Sequence, residues 1–194
     1  METDQKPVNW TAELADQLDW HWEHHFRPRL DSLTDDEYLW EPVPGCWSIR
    51  PQAEADPARA RGSGDFRYEI AWPEPDPAPV TTIAWRLGHI ITGCLGARSA
   101  SHFGSAPVDP GTYPYAGTAA GALAQLDSVY ADWIKGVRGL DAAGLARPCG
   151  PAEGPYAEFP LAALVLHINR EVIHHGAEIT LLRDLYRERT VTKP

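Results

Sequence analysis

The sequence contains few cysteines, few lysines and no long apolar run. Its three cysteines, Cys46, Cys94 and Cys149, are an odd number with no pair at C-x-x-C spacing. That pattern argues against a disulfide framework and a thiolate zinc knuckle, and it favours a reducing cytoplasm. The apolar runs are far shorter than the roughly 20 residues that a bilayer-spanning helix needs. The N-terminal residues METDQKPVNW lack the basic and apolar regions of a signal peptide, so we expect a cytoplasmic protein.

The charge balance is acidic. The 194 residues include 17 Lys and Arg against 27 Asp and Glu, which gives a formal net charge of -10. A surface of this sign repels phosphate groups, so we expect neither a nucleic-acid partner nor binding to an anionic membrane. Apolar residues at 43% and charged residues at 23% are ordinary for a globular protein. The length fits one domain, and we treat residues 1–194 as a single helical-bundle domain.

Four long segments carry helical periodicity. The first, residues 8–30, places an apolar side chain at every fourth position from Trp10 to Leu30. The second follows Pro79 and extends to Phe103, the third covers residues 118–140, and the fourth opens at Pro160 and reaches Tyr186. A capping-box pattern at residues 34–37 indicates one further short helix. Together these features predict an all-α four-helix bundle.

Residues 42–79 form the longest connection, between the first and second long helices. Long bare loops are uncommon in compact domains, so we expect local structure in it. No convincing strand pattern occurs, although residues 66–70 are compatible with local pairing. We expect Cys94 to be a small buried hydrophobe. Four tryptophans on helical faces are expected to fill the core: Trp10, Trp22, Trp85 and Trp133.

One face of the fourth segment combines aliphatic side chains with a carboxylate and an imidazole. Glu171 and His175 share the stripe of Ile168, Ile179 and Leu182. An ionised carboxylate on a core face is costly unless something compensates its charge. Residues at i and i+4 project side by side, so this pair can reach one metal ion. The alternative, a salt-bridged glutamate beside a hydrogen-bonded core histidine, stays open.

His89, in the segment WRLGHI, is a third candidate ligand. It lies about a quarter turn away from the aliphatic stripe of its helix. Its neighbours Gly88, Thr92, Gly93 and Gly96 are small, and small residues allow another helix or a ligand to approach closely. A lone histidine on such a face is more often structural than a ligand, so spacing alone leaves its role open.

Several segments in this order carry a resemblance to a known family. They are LDW at 18–20, LDSLT at 30–34, EPVPGCWS at 41–48, WRLGHI at 85–90 and NREVIHHG at 169–176. With these features the chain resembles the DinB/YfiT-like superfamily of small metal-binding four-helix proteins. Many members have a metal-binding histidine on the second helix and an H-x-x-x-H pair on the last. The fourth helix here has no such pair, and it resembles the branch of mycothiol-dependent maleylpyruvate isomerase, in which glutamate replaces the first histidine.

The resemblance implies a metal site. Glu171 and His175 align with the E-x-x-x-H pattern of that branch without a gap, which implies His89, Glu171 and His175 as the ligands. A competing register equates Arg170 and His174 with the pair, and it predicts a damaged or absent site because arginine does not ligate metals. Two histidines and one carboxylate suit Zn, with Ni or Fe as alternatives.

The resemblance also implies a function. It indicates a divalent-metal-dependent enzyme that uses a low-molecular-weight thiol of the mycothiol type, as an S-transferase or isomerase of a small molecule. Two alternatives stay open, namely a non-catalytic stress-response protein that binds metal or small molecules, and a structural dimer whose metal site has decayed. A homodimer is expected, since family members often associate through helix faces. The sequence shows no second catalytic group at a fixed spacing, so it identifies no substrate.

Overall fold

A computed structural model describes residues 7–189. The α-helices are α1 (Trp10–His21), α2 (Asp35–Tyr38), α3 (Ile83–Gly88), α4 (Ala97–Phe103), α5 (Ala119–Arg138), α6 (Ala142–Ala146) and α7 (Leu161–Glu188). The strands are β1 (Ile49–Pro51), β2 (Ala60–Arg61) and β3 (Phe66–Glu69). Over residues 7–189, none of the helices combines the length and the apolar character that a bilayer-spanning segment requires.

Wide π-helical turns extend two of these helices. A π turn at Trp22–Phe26 and a 3-10 turn at Arg27–Leu30 continue α1, and the π segment (His89–Gly96) joins α3 to α4. Apolar residues at every fourth position drift off one face of a regular α-helix, which has 3.6 residues per turn. A turn with i→i+5 bonds holds more residues and takes up this drift. Trp22, Phe26 and Leu30 are therefore all buried.

The predicted long segments pack into a four-helix bundle, which confirms the all-α fold. The second long helix, made of α3, the π segment and α4, packs against α5 and α7. Helix α1 packs against the same two helices. The largest fully buried side chain is Trp133 of α5, and Trp22 is also buried, while Trp85 is half-buried. The prediction for Trp10 is wrong, since 64% of it is exposed. Trp10 is the first residue of α1 and lies at the end of the bundle. The hydroxyl of the next residue, Thr11, donates to the carbonyl of Leu140, which follows the last residue of α5.

The long connection folds into a small antiparallel sheet with the strand order β1-β3-β2. Ile49 of β1 lies opposite Tyr68, and Ala60 of β2 lies opposite Glu69. The expected local pairing of residues 66–70 is confirmed for β3, the central strand. Strands of two to four residues are too short for an alternating pattern to stand out in the sequence, so the sequence does not predict the sheet itself.

This sheet braces the start of the second long helix. The ring of Tyr68 stacks on Trp85 at a centroid distance of 5.1 Å, and the indole nitrogen of Trp85 donates to the Glu69 carbonyl at 2.6 Å. Gly88 permits the close approach, because a Cβ there would lie 3.1 Å from the Tyr68 ring. The buried Glu69 carboxylate accepts from Arg50 at 2.8 Å, which ties β3 to β1.

The predicted helix starts are close to the observed ones. Thr34 caps α2, because its hydroxyl accepts from the Glu37 amide at 3.3 Å. The second half of the predicted capping box does not form, since the Glu37 carboxylate binds Arg183 of α7 instead. Thr118 caps α5, whereas Pro160, predicted as the first helical residue, is the extended N-cap of α7.

Candidate metal centre

The structure brings His89, Glu171 and His175 together where the π segment faces α7. The Oε2 atom of Glu171 lies 3.5 Å from Nε2 of His175 and 4.0 Å from Nε2 of His89. One ligand atom from each residue lies within 4.8 Å of the other two. The two imidazole rings are 4.8 Å apart between centroids and nearly perpendicular, at 81°. Both Nε2 atoms therefore face the same carboxylate oxygen.

Local geometry explains how the three side chains meet. Glu171 and His175 lie on successive turns of α7, so their side chains are neighbours on one face. His89 is the first residue of the π segment, which contacts α7. π-helical turns occur frequently at functional sites. The pair on α7 is thus a consequence of sequence spacing, whereas the addition of His89 depends on helix packing.

Neighbours one turn away on either side hold the ring of His89. Trp85 stacks on it at a centroid distance of 5.6 Å with an angle of 8° between the planes. On the other side, a Cβ at Gly93 would lie only 3.3 Å from Nδ1 of His89. Burial, reinforced by the nearby His175, lowers the pKa of His89 to about 4. The imidazole is therefore neutral at pH 7, which is the state that ligates metals.

His175 is oriented by a carboxylate that sequence reasoning missed. Its Nδ1 atom lies 2.7 Å from Oε2 of Glu178, which in turn forms an ion pair with Arg86 of α3. Metal-ligating histidines characteristically donate their other ring N–H to such a carboxylate. The signal for Glu178 is its i+3 spacing from His175 on α7. No sequence signal identifies Arg86, because it reaches Glu178 only through tertiary packing.

The competing register places its residues differently. His174 is 64% exposed along its side chain, and its Nε2 atom lies 3.5 Å from Oε1 of Glu178. Arg170 is exposed and donates to Nδ1 of His167 at 2.9 Å. His174, His175 and Glu178 form a second group of close donor atoms. That group shares His175 and the carboxylate that orients it, and it does not include His89.

The donor chemistry of the first group fits a divalent cation. Two imidazoles and one carboxylate make three protein donors, the number typical of catalytic zinc sites, whereas structural zinc sites use four. The half-buried Glu171 has three histidines within 4.0 Å, namely His89, His167 and His175. Within residues 7–189, no arginine or lysine forms a salt bridge with Glu171. A bound cation would supply the positive charge that compensates this carboxylate.

The chain's own thiols are buried. Cys94 is 3% exposed, which confirms the prediction of a small buried hydrophobe. Burial, together with the negative charge of Glu171, raises the pKa of Cys94 to about 12. Burial also raises the pKa of Cys46 and of Cys149. All three thiols are therefore protonated at neutral pH and poor nucleophiles.

Comparison with known proteins identifies one family. The sequence model of the DinB superfamily matches residues 17–179, a span that contains His89, Glu171 and His175. Neither a curated protein nor a solved structure matches the chain. The match begins within α1 and ends within α7, so it includes all the helices between them. It is a match at the level of the superfamily and does not single out the mycothiol-dependent branch.

Proposed function

The chain belongs to the DinB superfamily, and on that basis we propose that it is a divalent-metal-dependent enzyme acting with a low-molecular-weight thiol, as an S-transferase or isomerase. The observation that carries this proposal is the convergence of His89, Glu171 and His175 at one point of the bundle. Members of this superfamily generally bind metal. A set of three protein donors favours a catalytic metal site over a structural one, because it leaves a coordination position open for substrate.

The residues of the site have distinct roles in this proposal. His89 and His175 contribute neutral nitrogen donors, and Glu171 contributes one negative charge. Zn fits this set best, with Ni and Fe as alternatives. When bound, the ion supplies positive charge that lowers the pKa of a coordinated thiol or water. Glu178 and Trp85 orient the two histidine rings, so the donor atoms are positioned before any ligand arrives.

The nucleophile in this reaction is the thiol of a small molecule, not a cysteine of the chain. Cys46, Cys94 and Cys149 are buried and protonated, and none of them belongs to the ligand set. A thiol-dependent reaction at this site therefore needs a thiol from solution. The choice of a mycothiol-type thiol rests on the resemblance of Glu171 and His175 to the E-x-x-x-H branch.

Metal uptake tests the ligand set. Protein dialysed against EDTA is titrated with Zn²⁺, and the bound metal is counted by elemental analysis. We expect one ion per chain, loss of uptake in His175→Ala and Glu171→Gln, and near-normal uptake in His174→Ala, the matched control on the adjacent residue. If His174→Ala abolishes uptake and Glu171→Gln does not, the competing register is correct. If the wild-type chain takes up no metal, the decayed-site alternative replaces the proposal.

Thiol consumption tests catalysis separately. The zinc-loaded protein is incubated with mycothiol, glutathione or bacillithiol and a panel of small electrophiles, and free thiol is followed with time. We expect turnover with mycothiol and none with the His175→Ala variant. Turnover with glutathione or bacillithiol instead would retain the enzyme class and change its thiol. Metal uptake without turnover of any thiol would favour the non-catalytic binding protein.

The homodimer also belongs to this proposal. Leu166, Leu181 and Leu185 of α7 are each about half exposed. Association through this helix would remove these apolar side chains from water. Sedimentation velocity measures the outcome directly, and a single species of 21.4 kDa would contradict the dimer.

A further inference from the structure

A cavity of about 490 Å³ adjoins the candidate metal centre. Its walls come from the end of the second long helix, the segment 149–159 and the first turns of α7. Tyr156 and Phe159, both more than half exposed, form an aromatic lip with their rings 5.8 Å apart. Leu164 and Cys149, both 7% exposed, form the buried floor. The volume lies in the range of small-molecule sites.

The cavity and the metal centre share a boundary. His167 lines the cavity, and its Nδ1 atom lies 3.6 Å from Oε1 of Glu171. The two residues are four positions apart on α7, a rise of about 6 Å at 1.5 Å per residue. A molecule held in the cavity therefore lies about one helical turn from the candidate ligand Glu171, with His167 between them.

The cavity lining includes two arginines, Arg98 and Arg170, and one carboxylate, Glu153. The carboxylate of Glu153 is buried and lies 3.2 Å from Arg98 and 2.9 Å from Nε2 of His102, so Glu153 balances Arg98. Arg170 also lines the cavity and donates to Nδ1 of His167. Within residues 7–189, no carboxylate forms a salt bridge with Arg170. Arg170 is therefore an exposed guanidinium at the cavity mouth, and its own hydrogen bond goes to a histidine rather than to a carboxylate.

We propose that this cavity binds a small organic acid with an apolar body, and that Arg170 holds its carboxylate at the mouth beside the metal centre. The planar guanidinium matches a carboxylate with two parallel hydrogen bonds. The apolar body lies between the lip and the floor, where Ala163 and Leu164 of α7 contact it. The inference deepens the proposed function, on which its catalytic meaning rests, but the binding itself requires no metal.

Calorimetric titration of EDTA-dialysed protein tests the proposal with three probes. Phenylacetate carries the carboxylate and an apolar ring, phenylacetamide keeps the shape without the charge, and inorganic phosphate carries charge without an apolar body. We expect phenylacetate to bind about tenfold more tightly than phenylacetamide, because charge-assisted hydrogen bonds are stronger than neutral ones. Phosphate should show no binding. Equal affinity for acid and amide, or no binding of the acid, would overturn the proposal.

Two variants locate the binding. Arg170→Gln should reduce phenylacetate affinity about tenfold and leave phenylacetamide unchanged. Arg61→Gln, on β2 and outside the cavity lining, removes the same charge from an exposed site and should change neither. Ala163→Phe fills the cavity and should weaken both ligands. Circular dichroism and thermal melting establish that each variant is folded. An Arg170→Gln protein that is folded and retains the preference for the acid would contradict the assignment.

The two proposals fail independently. Phenylacetate binding that depends on Arg170, in a protein that takes up no Zn²⁺, would retain the organic-acid site and reject the metal enzyme. Zinc uptake without any phenylacetate binding would reject the organic-acid site and leave the metal centre intact. Repeating the titration with zinc-loaded Arg170→Gln distinguishes a carboxylate held by Arg170 from one bound directly to the metal. If this variant still binds phenylacetate as tightly as the wild type, the metal holds the carboxylate and the role of Arg170 is overturned.

Discussion

The Nδ1 atom of His175 lies 2.7 Å from Oε2 of Glu178, one turn further along α7. An Nδ1–H that donates to this carboxylate leaves Nε2 with its lone pair directed at Glu171. Arg86 forms an ion pair with the same Glu178 oxygen. Glu178 and Arg86, whose guanidinium lies 3.2 Å from the same Nδ1 atom, therefore hold the candidate ligand His175 in its orientation.

The first prediction concerns this orientation. Glu178→Gln keeps the shape of the side chain and removes its charge, so we expect zinc affinity to fall about tenfold, the lower end for such partners. Competition with a chelating dye measures the change. Glu188→Gln, at the exposed end of α7, is the matched control and should bind zinc normally. Unchanged affinity in Glu178→Gln would show that the carboxylate does not orient the ligand.

The second prediction concerns the space beneath His89. In Gly93→Ala, the new Cβ would lie 3.3 Å from Nδ1 and 3.4 Å from Cε1 of the ring. The ring must shift by a few tenths of an ångström towards Trp85, so we expect zinc affinity to fall several-fold while the bundle stays folded. Gly139→Ala, whose Cβ would make only ordinary contacts, is the control. A Gly93→Ala protein with wild-type zinc affinity would show that the position of the ring is not tightly limited.

The third prediction concerns a buried ion pair that joins α2 to α7. Arg183 donates to both carboxylate oxygens of Glu37, and both side chains are less than 10% exposed. Arg183→Met leaves Glu37 buried without its partner, so we expect a loss of about 3–5 kcal/mol in the free energy of unfolding, measured in urea. Arg29→Met breaks only the exposed pair with Asp184 and should cost less than about 1 kcal/mol.

A second substitution separates charge from packing at this pair. The double variant Arg183→Met with Glu37→Leu removes both charges, and it should recover much of the loss because no buried charge remains unpaired. If the double variant is as unstable as Arg183→Met alone, the loss comes from packing rather than from the isolated carboxylate.

The fourth prediction concerns the pH dependence of cysteine reactivity. Burial raises the pKa of Cys94 to about 12, so its thiol stays protonated up to about pH 11 in the folded protein. Cys46 and Cys149 are also buried and have raised pKa values. Iodoacetamide at pH 8.5 should therefore label none of the three in the native protein and all of them in urea, as counted by mass spectrometry. Rapid native labelling of Cys94 would show that the chain carries its own reactive thiol.

Helical periodicity predicted the bundle because it is a local property of the chain. Apolar spacing located the long helices to within a few residues, and it also placed Glu171 and His175 on one face of α7. The same periodicity failed at Trp10, since a stripe does not reveal where neighbouring helices end. The strands of the small sheet were too short to show a period, so the support that Tyr68 and Glu69 provide for Trp85 was not visible.

The sequence by itself determined the residue types of the candidate site and the pairing of two of them, because residues four apart on a helix are neighbours in any fold. Only the tertiary structure decided that His89 meets this pair, since the π segment and α7 come together through packing between residues far apart in the chain. Packing also decided which residues support the ligands, because Arg86 of α3 forms its ion pair with Glu178 of α7. The cavity beside Arg170 has the same origin, because its walls come from three separate parts of the chain.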